Sequence, residues 1–410
     1  MNIAHTPWAS AMLLRVLCAG LCMLNLSCQA AAEPLPSPSL LTGQSHSREI
    51  PAPETILGYS VGTQAVTHTE LLGYCNQLAE ASSRVTRTDY GQSHDGRRLF
   101  YLTITNPANH QRLDDIRQAN ARLADPRQNT TVDIAQQPAI AWLGYSIHGD
   151  ELSSTDAAIY VAYHLAAAQD PNTRQLLRDT VIHMVPLMNP DGRQRFLGQI
   201  RQFTGRVANP DFQAMHHSAL WTRGRGNHYL FDLNRDWLIL EQPEVRQLAP
   251  LIKAWNPQLL VDSHEMFPNE TYLFDPPNIP HNLHLNRTNM QWRTAFGADQ
   301  ARAFDRYGWS YYTRDWYTDW APIYTNAWAS LRDAIGLLYE QARADSSLAK
   351  YDTGQIMSYH DTVQHQVVSC LANLETLHQN RSAILKDFVA ARQRAVTPQT
   401  DGPQVFLLPP

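Results

Sequence analysis

Lysine is nearly missing from this 410-residue chain, which has three (Lys253, Lys350, Lys386) among its 33 basic residues. An arginine beside a motif is therefore a weak signal, and only its register with other residues can give it a role. Blocks of like charge are also missing. The 33 basic residues face 38 acidic ones, for a net charge of −5, so nothing favours a nucleic acid or an anionic membrane as partner. Cysteine is scarce beyond the first thirty residues, which hold Cys18, Cys22 and Cys28; only Cys75 and Cys370 follow. That excludes a disulfide framework and a Cys-x-x-Cys zinc knuckle, and leaves either one long-range bridge or two separate buried thiols. No apolar run approaches the roughly 20 residues that span a bilayer. There is no internal repeat, and no His-Glu-x-x-His, which excludes the thermolysin-like zinc arrangement.

What is present is the composition of a folded chain with a large core, 43% hydrophobic and 17% charged. Near the N-terminus stand a single Arg15, an apolar run over 16–26 and then Ala30-Ala31-Ala32 before Glu33, the order of a secretory signal over 1–32. A lipoprotein-type cleavage before Cys28 competes with it, although Asn25 occupies the place where such sites usually carry leucine. The expectation is an exported protein, periplasmic or secreted. Residues 33–55 are rich in Pro and Ser and read as a linker, 56–395 as one folded domain, and 396–410 as a tail.

Within the domain, apolar runs at 99–105, 139–145, 180–187, 259–261 and 334–339 predict strands, several of them apolar without alternation. Amphipathic stretches at 153–168, 174–179, 285–306 and 360–392 predict helices. Such alternation implies an α/β fold, a single-domain α/β/α sandwich with a mixed, largely parallel central sheet. The loops leaving the strand ends are then the place to seek a ligand site.

Directly after 139–145 comes Ser146-Ile147-His148-Gly149-Asp150-Glu151, in which an imidazole and a carboxylate three apart suit a divalent ion such as zinc. In a chain with this many histidines and glutamates, about half a His-x-x-Glu is expected by chance, so the pair alone decides little. Further motifs follow in order: Asn189-Pro190-Asp191-Gly192, Arg225-Gly226-Asn227, Asp232-Leu233-Asn234-Arg235-Asp236, Asp262-Ser263-His264 and Leu338-Tyr339-Glu340. Upstream stands Gly91-Gln92-Ser93-His94-Asp95-Gly96-Arg97. Over about residues 67–387 the sequence resembles the zinc metallocarboxypeptidases, the carboxypeptidase A-like family, in a bacterial-type form.

The resemblance implies one zinc ion held by His148, Glu151 and His264, with Glu340 as general base and acid and Arg225 as partner of the oxyanion. Arg223 competes for that last role. It further implies that Asn234 and Arg235 bind the free C-terminal carboxylate of a peptide, that Asp232 orients the His148 ring, and that a tyrosine, Tyr324 or Tyr317, covers the substrate. The partner expected is a peptide with a free C-terminus, peptidoglycan peptides included, acted on by a monomer. An N-acyl amino acid deacylase of the aspartoacylase type shares the His-x-x-Glu and Asp-Leu-Asn-Arg elements and is the alternative, with an inactive substrate-binding homologue as a third reading. The chain departs from the digestive members in having Gly149-Asp150 where they carry an arginine between the first two ligands, and its aromatic-rich stretch 309–328 gives no readable specificity pocket. Glu265, beside His264, points away from the metal if strand alternation holds.

Overall fold

The computed structural model describes residues 45–129, 132–217, 221–267 and 271–397. The signal (1–32) and nearly all of the tail lie outside the described residues. Eight strands form one sheet: β1 (Val85–Gln92), β2 (Arg98–Ile104), β3 (Ala139–Tyr145), β4 (Thr180–Val185), β5 (Leu259–Met266), β6 (Tyr272–Phe274), β7 (Tyr312–Thr313) and β8 (Ile335–Ala342). Their spatial order is β1-β2-β4-β3-β5-β8-β6-β7. The central four, β4-β3-β5-β8, are parallel, while β1 and β2 run antiparallel at one edge and β6 returns antiparallel to β8 at the other. The sheet is mixed and largely parallel, as the sequence predicts. A separate two-stranded ribbon pairs β9 (Leu348–Lys350) with β10 (Ile356–Ser358).

The unbroken apolar runs come from burial on both faces. In β3 every position is buried; Ala139, Ala141, Leu143 and Tyr145 join one core layer, and Ile140 and Trp142 the other. In β4, Ile182 and Met184 divide from Val181 and Val185 in the same way. Helices Ser153–Ala167, Arg287–Asp305 and Tyr359–Gln379 cover the first layer, and helix Pro243–Trp255, through Leu248, Ile252 and Trp255, covers the second. Each such side chain contributes about 2 kcal/mol by leaving water, so the two layers hold the central strands between them.

Several elements differ from the sequence expectation. The helix predicted over 360–392 is two, Tyr359–Gln379 and Arg381–Val396, parted at Asn380, whose Nδ2 donates to the Thr376 carbonyl at 2.9 Å. A side chain that competes for backbone partners is a poor helix interior. β5 and β8 run past their apolar runs to Met266 and Ala342, because each is the other's parallel partner and pairs His264 with Glu340 in register. β1 escapes an apolar search because only Val85 in it is buried. Part of the stretch read as a linker is ordered against the domain: His46 bridges to Ala168, and a helix spans Pro53–Leu57. Cys75 and Cys370 are buried and unbridged, and the Tyr145 hydroxyl donates to Cys370 Sγ at 3.2 Å.

Candidate metal centre

The chain leaves β3, runs through β4, and returns to the other side of β3 as β5, so the β3/β5 boundary is where the strand order reverses. Ligands of open α/β sheets bind at the carboxyl ends of the strands beside such a point. His148 and Glu151 follow β3, and His264 lies near the carboxyl end of β5. All three are buried, and one candidate ligand atom from each lies within 4.8 Å of the others. His148 Nδ1 is 2.7 Å from Glu151 Oε1, and His264 Nδ1 is 2.8 Å from Glu151 Oε2.

The outer nitrogens are held as firmly. His148 Nε2 lies 3.0 Å from Asp232 Oδ1, and His264 Nε2 lies 2.8 Å from Asp262 Oδ2. An ionised carboxylate only accepts, so both nitrogens of each ring carry a proton, Nε2 toward Asp232 or Asp262 and Nδ1 inward toward Glu151. Burial opposes charge on His264, but Asp262 and Glu151 keep its imidazole protonated well above the usual range; against the same burial, Glu151 and Asp232 raise the His148 pKa. Glu151, which burial alone would raise, is held far below the usual carboxylate range by the two imidazoles. A divalent cation between two inward nitrogens and one carboxylate would take the place of those protons, so the donor set and its charge fit zinc.

Asp262 is the site residue that the sequence reading left without a role. Its signal was available: positions 262 and 264 of a strand share a face. Glu265 lies on the opposite face, where its two oxygens accept from Leu152 N (2.8 Å) and Ser153 N (2.9 Å) at the start of a helix.

Three glycines bring the surrounding loops together. A Cβ on Gly149 would sit 2.1 Å from Arg193 N, one on Gly192 would sit 2.3 Å from Gly224 O, and one on Gly224 would sit 2.5 Å from Gly192 O. Backbone therefore packs directly on backbone, and Gly149 N donates to Gly224 O at 2.9 Å. Asn189 adds to this contact, accepting from Gly192 N at 2.9 Å as a helix cap and donating from Nδ2 to Arg225 O at 3.2 Å. Asp191 receives Ser93 Oγ at 2.8 Å, Asp95 N at 3.1 Å and Arg97 Nη1 at 2.6 Å. The Gly91–Arg97 and Asn-Pro-Asp-Gly motifs thus build the support for the loop that carries Arg225.

Arg225 lies over the cluster, with Nε 3.0 Å from Asp232 Oδ2 and Nη1 3.3 Å from His148 Nδ1. Arg223 turns away, donating to Asp150 Oδ2 at 2.9 Å with its guanidinium over the Phe196 ring. Arg225, Asn234, Arg235, Tyr317, Tyr324 and Glu340 all line the cavity of about 660 Å³ that opens on the cluster. Arg235 is half-exposed, with its guanidinium 4.5 Å above the Tyr324 ring. Asn234 is engaged at both ends, donating to Asp262 Oδ2 at 3.2 Å and accepting from Thr325 N and Oγ1 at 2.8 Å. Its carboxamide therefore ties β5 to the Thr325 turn, and Arg235 is the open member of the pair. Burial, with Glu151 and Asp262 adding, pushes the Glu340 carboxyl up to about 8 against the pull of His264 and His148.

Comparison with known proteins agrees with this geometry. Residues 71–266 match the zinc carboxypeptidase family, Peptidase_M14. Human carboxypeptidase Z is 25% identical over 176 residues, 42% of this chain and 21% of that protein, so the chain spans about a fifth of the length of this curated relative. Among solved structures, the metallo-carboxypeptidase from Burkholderia cenocepacia shares the fold with a TM-score of 0.52 at 17% identity, covering 77% of this chain and 68% of that one. Carboxypeptidase A from Helicoverpa armigera does so with 0.51 at 17%, covering 83% and 76%. Over residues 71–266 the chain is therefore similar to the zinc carboxypeptidase family, and it shares the fold of solved metallo-carboxypeptidases.

Proposed function

We propose that the protein is an exported, zinc-dependent carboxypeptidase that releases the C-terminal residue of peptides. The observation that supports this best is the joining, in one cavity, of the His148–Glu151–His264 cluster with Glu340 and the guanidinium groups of Arg225 and Arg235. Zinc bound to His148, Glu151 and His264 would supply a Lewis acid that polarises the scissile carbonyl and acidifies water toward a pKa of about 7. The charge of a cation held by the cluster would favour ionised Glu340, which is buried and faces the same space, and the carboxylate would then take the proton of the attacking water and return it to the leaving amine. The Arg225 guanidinium, fixed on Asp232, hydrogen-bonds the oxyanion as charge develops. Arg235 pairs with the terminal carboxylate, and its planar face is held by Tyr324.

Treatment with a chelator is expected to abolish release of free C-terminal amino acids from peptides, and added zinc to restore it. Restored hydrolysis of acyl-aspartate in place of peptides would instead support a deacylase. Export rests on residues 1–32, and an intact mass that starts at Met1 in the protein recovered from cells would count against it.

A further inference from the structure

Resting on the zinc reading of the cluster, we infer that Glu265 is a positioning residue for the metal. It ties the strand that carries His264 to the turn that carries Glu151, and so holds the ligand carboxylate in place before an ion arrives. Glu265 is buried and follows His264 directly in β5. Both its backbone and its side chain reach the Glu151 segment. Glu265 N donates to Glu151 Oε2 at 3.1 Å, the same oxygen that lies 2.8 Å from His264 Nδ1. The side-chain oxygens accept from the next two backbone groups, Leu152 N at 2.8 Å and Ser153 N at 2.9 Å. One residue of β5 is thereby bonded to three consecutive residues of the turn.

The turn needs this outside support. It leads into helix Ser153–Ala167, whose N-cap is Leu152, a residue with no side-chain acceptor to offer. The first N–H groups of a helix have no partner within it, and here an acid on a different strand supplies the acceptors that a serine or aspartate cap would give. On the near side of the turn, Ser146 Oγ donates to Glu151 O at 2.6 Å. The strand end from which Glu265 reaches is itself fixed: Gln366 Nε2 donates to His264 O at 2.9 Å, and Gln366 Oε1 accepts from Ser263 Oγ at 2.7 Å. A metal binds more tightly to ligands that need no ordering when it arrives, and groups that orient ligands typically change metal affinity by about 10–100-fold.

The test separates metal affinity from stability. Metal-free parent, Glu265→Gln and Glu265→Ala are titrated with zinc against a competing chromophoric chelator, and the thermal melt of each is recorded without metal. Gln keeps an acceptor oxygen for one of the two N–H groups and Ala keeps none. Zinc affinity is therefore expected to fall in the order parent, Gln, Ala, by about 10–100-fold across the series. Asn109→Ala is the control for lost stability alone, since Asn109 Nδ2 donates to Thr105 Oγ1 and Arg178 O, both at 3.0 Å, beside the amino end of β4 and away from the cluster. It should lower the melt and leave zinc affinity at the parent's value. A folded Glu265→Ala that binds zinc as tightly as the parent overturns the inference, and so does an equal loss of affinity in Asn109→Ala. Should Glu265→Ala fail to fold, the near-isosteric Glu265→Gln decides the matter by the same criterion. A parent that binds no zinc removes the metal reading and the inference together. The ordered loss of affinity in a protein that hydrolyses no peptide would uphold the inference and sink the carboxypeptidase reading.

Discussion

At the scale of the residue, the same imidazole side chain is put to opposite uses by its neighbours. His148 and His264 sit between carboxylates and gain protons, whereas His183, on β4, is buried beside Thr103, with Nδ1 3.1 Å from the hydroxyl and no acid facing it. Burial, with His110 adding, lowers the His183 pKa to about 3. The unfolded chain, with a pKa near 6.5, then binds the extra proton between about pH 6.5 and 3, so this residue's contribution to stability falls as pH drops through that window. Between pH 7 and pH 5 the loss is about 2 kcal/mol. His183→Gln should therefore flatten the stability profile by about that amount in denaturant titrations at the two pH values, and parallel profiles for parent and variant would contradict the assignment. The ligands, Asp232 and Glu340 were legible at this scale because motif order singles them out. The buried ion pairing of Arg293 with Asp275 and Asp319 was not, since one arginine among so many carries no signal until those two acids are seen beside it.

At the scale of the element, what positions the chemistry is the crossing of two loops and a helix start through Gly149, Gly192 and Gly224. Helix Pro190–Phe203 contains two glycines in contrasting settings. A Cβ on Gly192 would meet the backbone oxygens of Gly224 at 2.3 Å and Gly226 at 2.6 Å, while a Cβ on Gly198 would meet nothing within 4 Å. Gly198→Ala should leave activity unchanged and stabilise the protein by up to about 1 kcal/mol, since alanine is the better helix former. Gly192→Ala should push the Arg225 loop outward, costing about 1–3 kcal/mol and lowering kcat with zinc still bound. Thermal melts, metal content and steady-state kinetics on the pair check this, and equal behaviour of the two variants would contradict it. Elements bounded by apolar runs were readable from sequence. The polar ends of β5 and β8 were not, because what keeps Asp262, His264 and Glu340 in strands is a neighbouring strand distant in the chain.

At the scale of the whole molecule, length alone suggests several domains, yet the sheet that carries the cluster takes in strands from Val85 to Ala342 and needs helices as far as Val396 to cover it. The α/β class followed from strands that are apolar on both faces, whereas the edges, with exposed β1 and short β6 and β7, are visible only through their pairing. The central claim is that one zinc held by His148, Glu151 and His264 acts with Glu340 as proton carrier. It is tested most directly by measuring zinc content and peptide hydrolysis together in the parent and in Glu340→Gln. The account predicts one zinc per chain in both, with kcat/KM lowered about 10²–10⁴-fold in the variant. A parent that holds no zinc, or a Glu340→Gln protein as active as the parent, would contradict it.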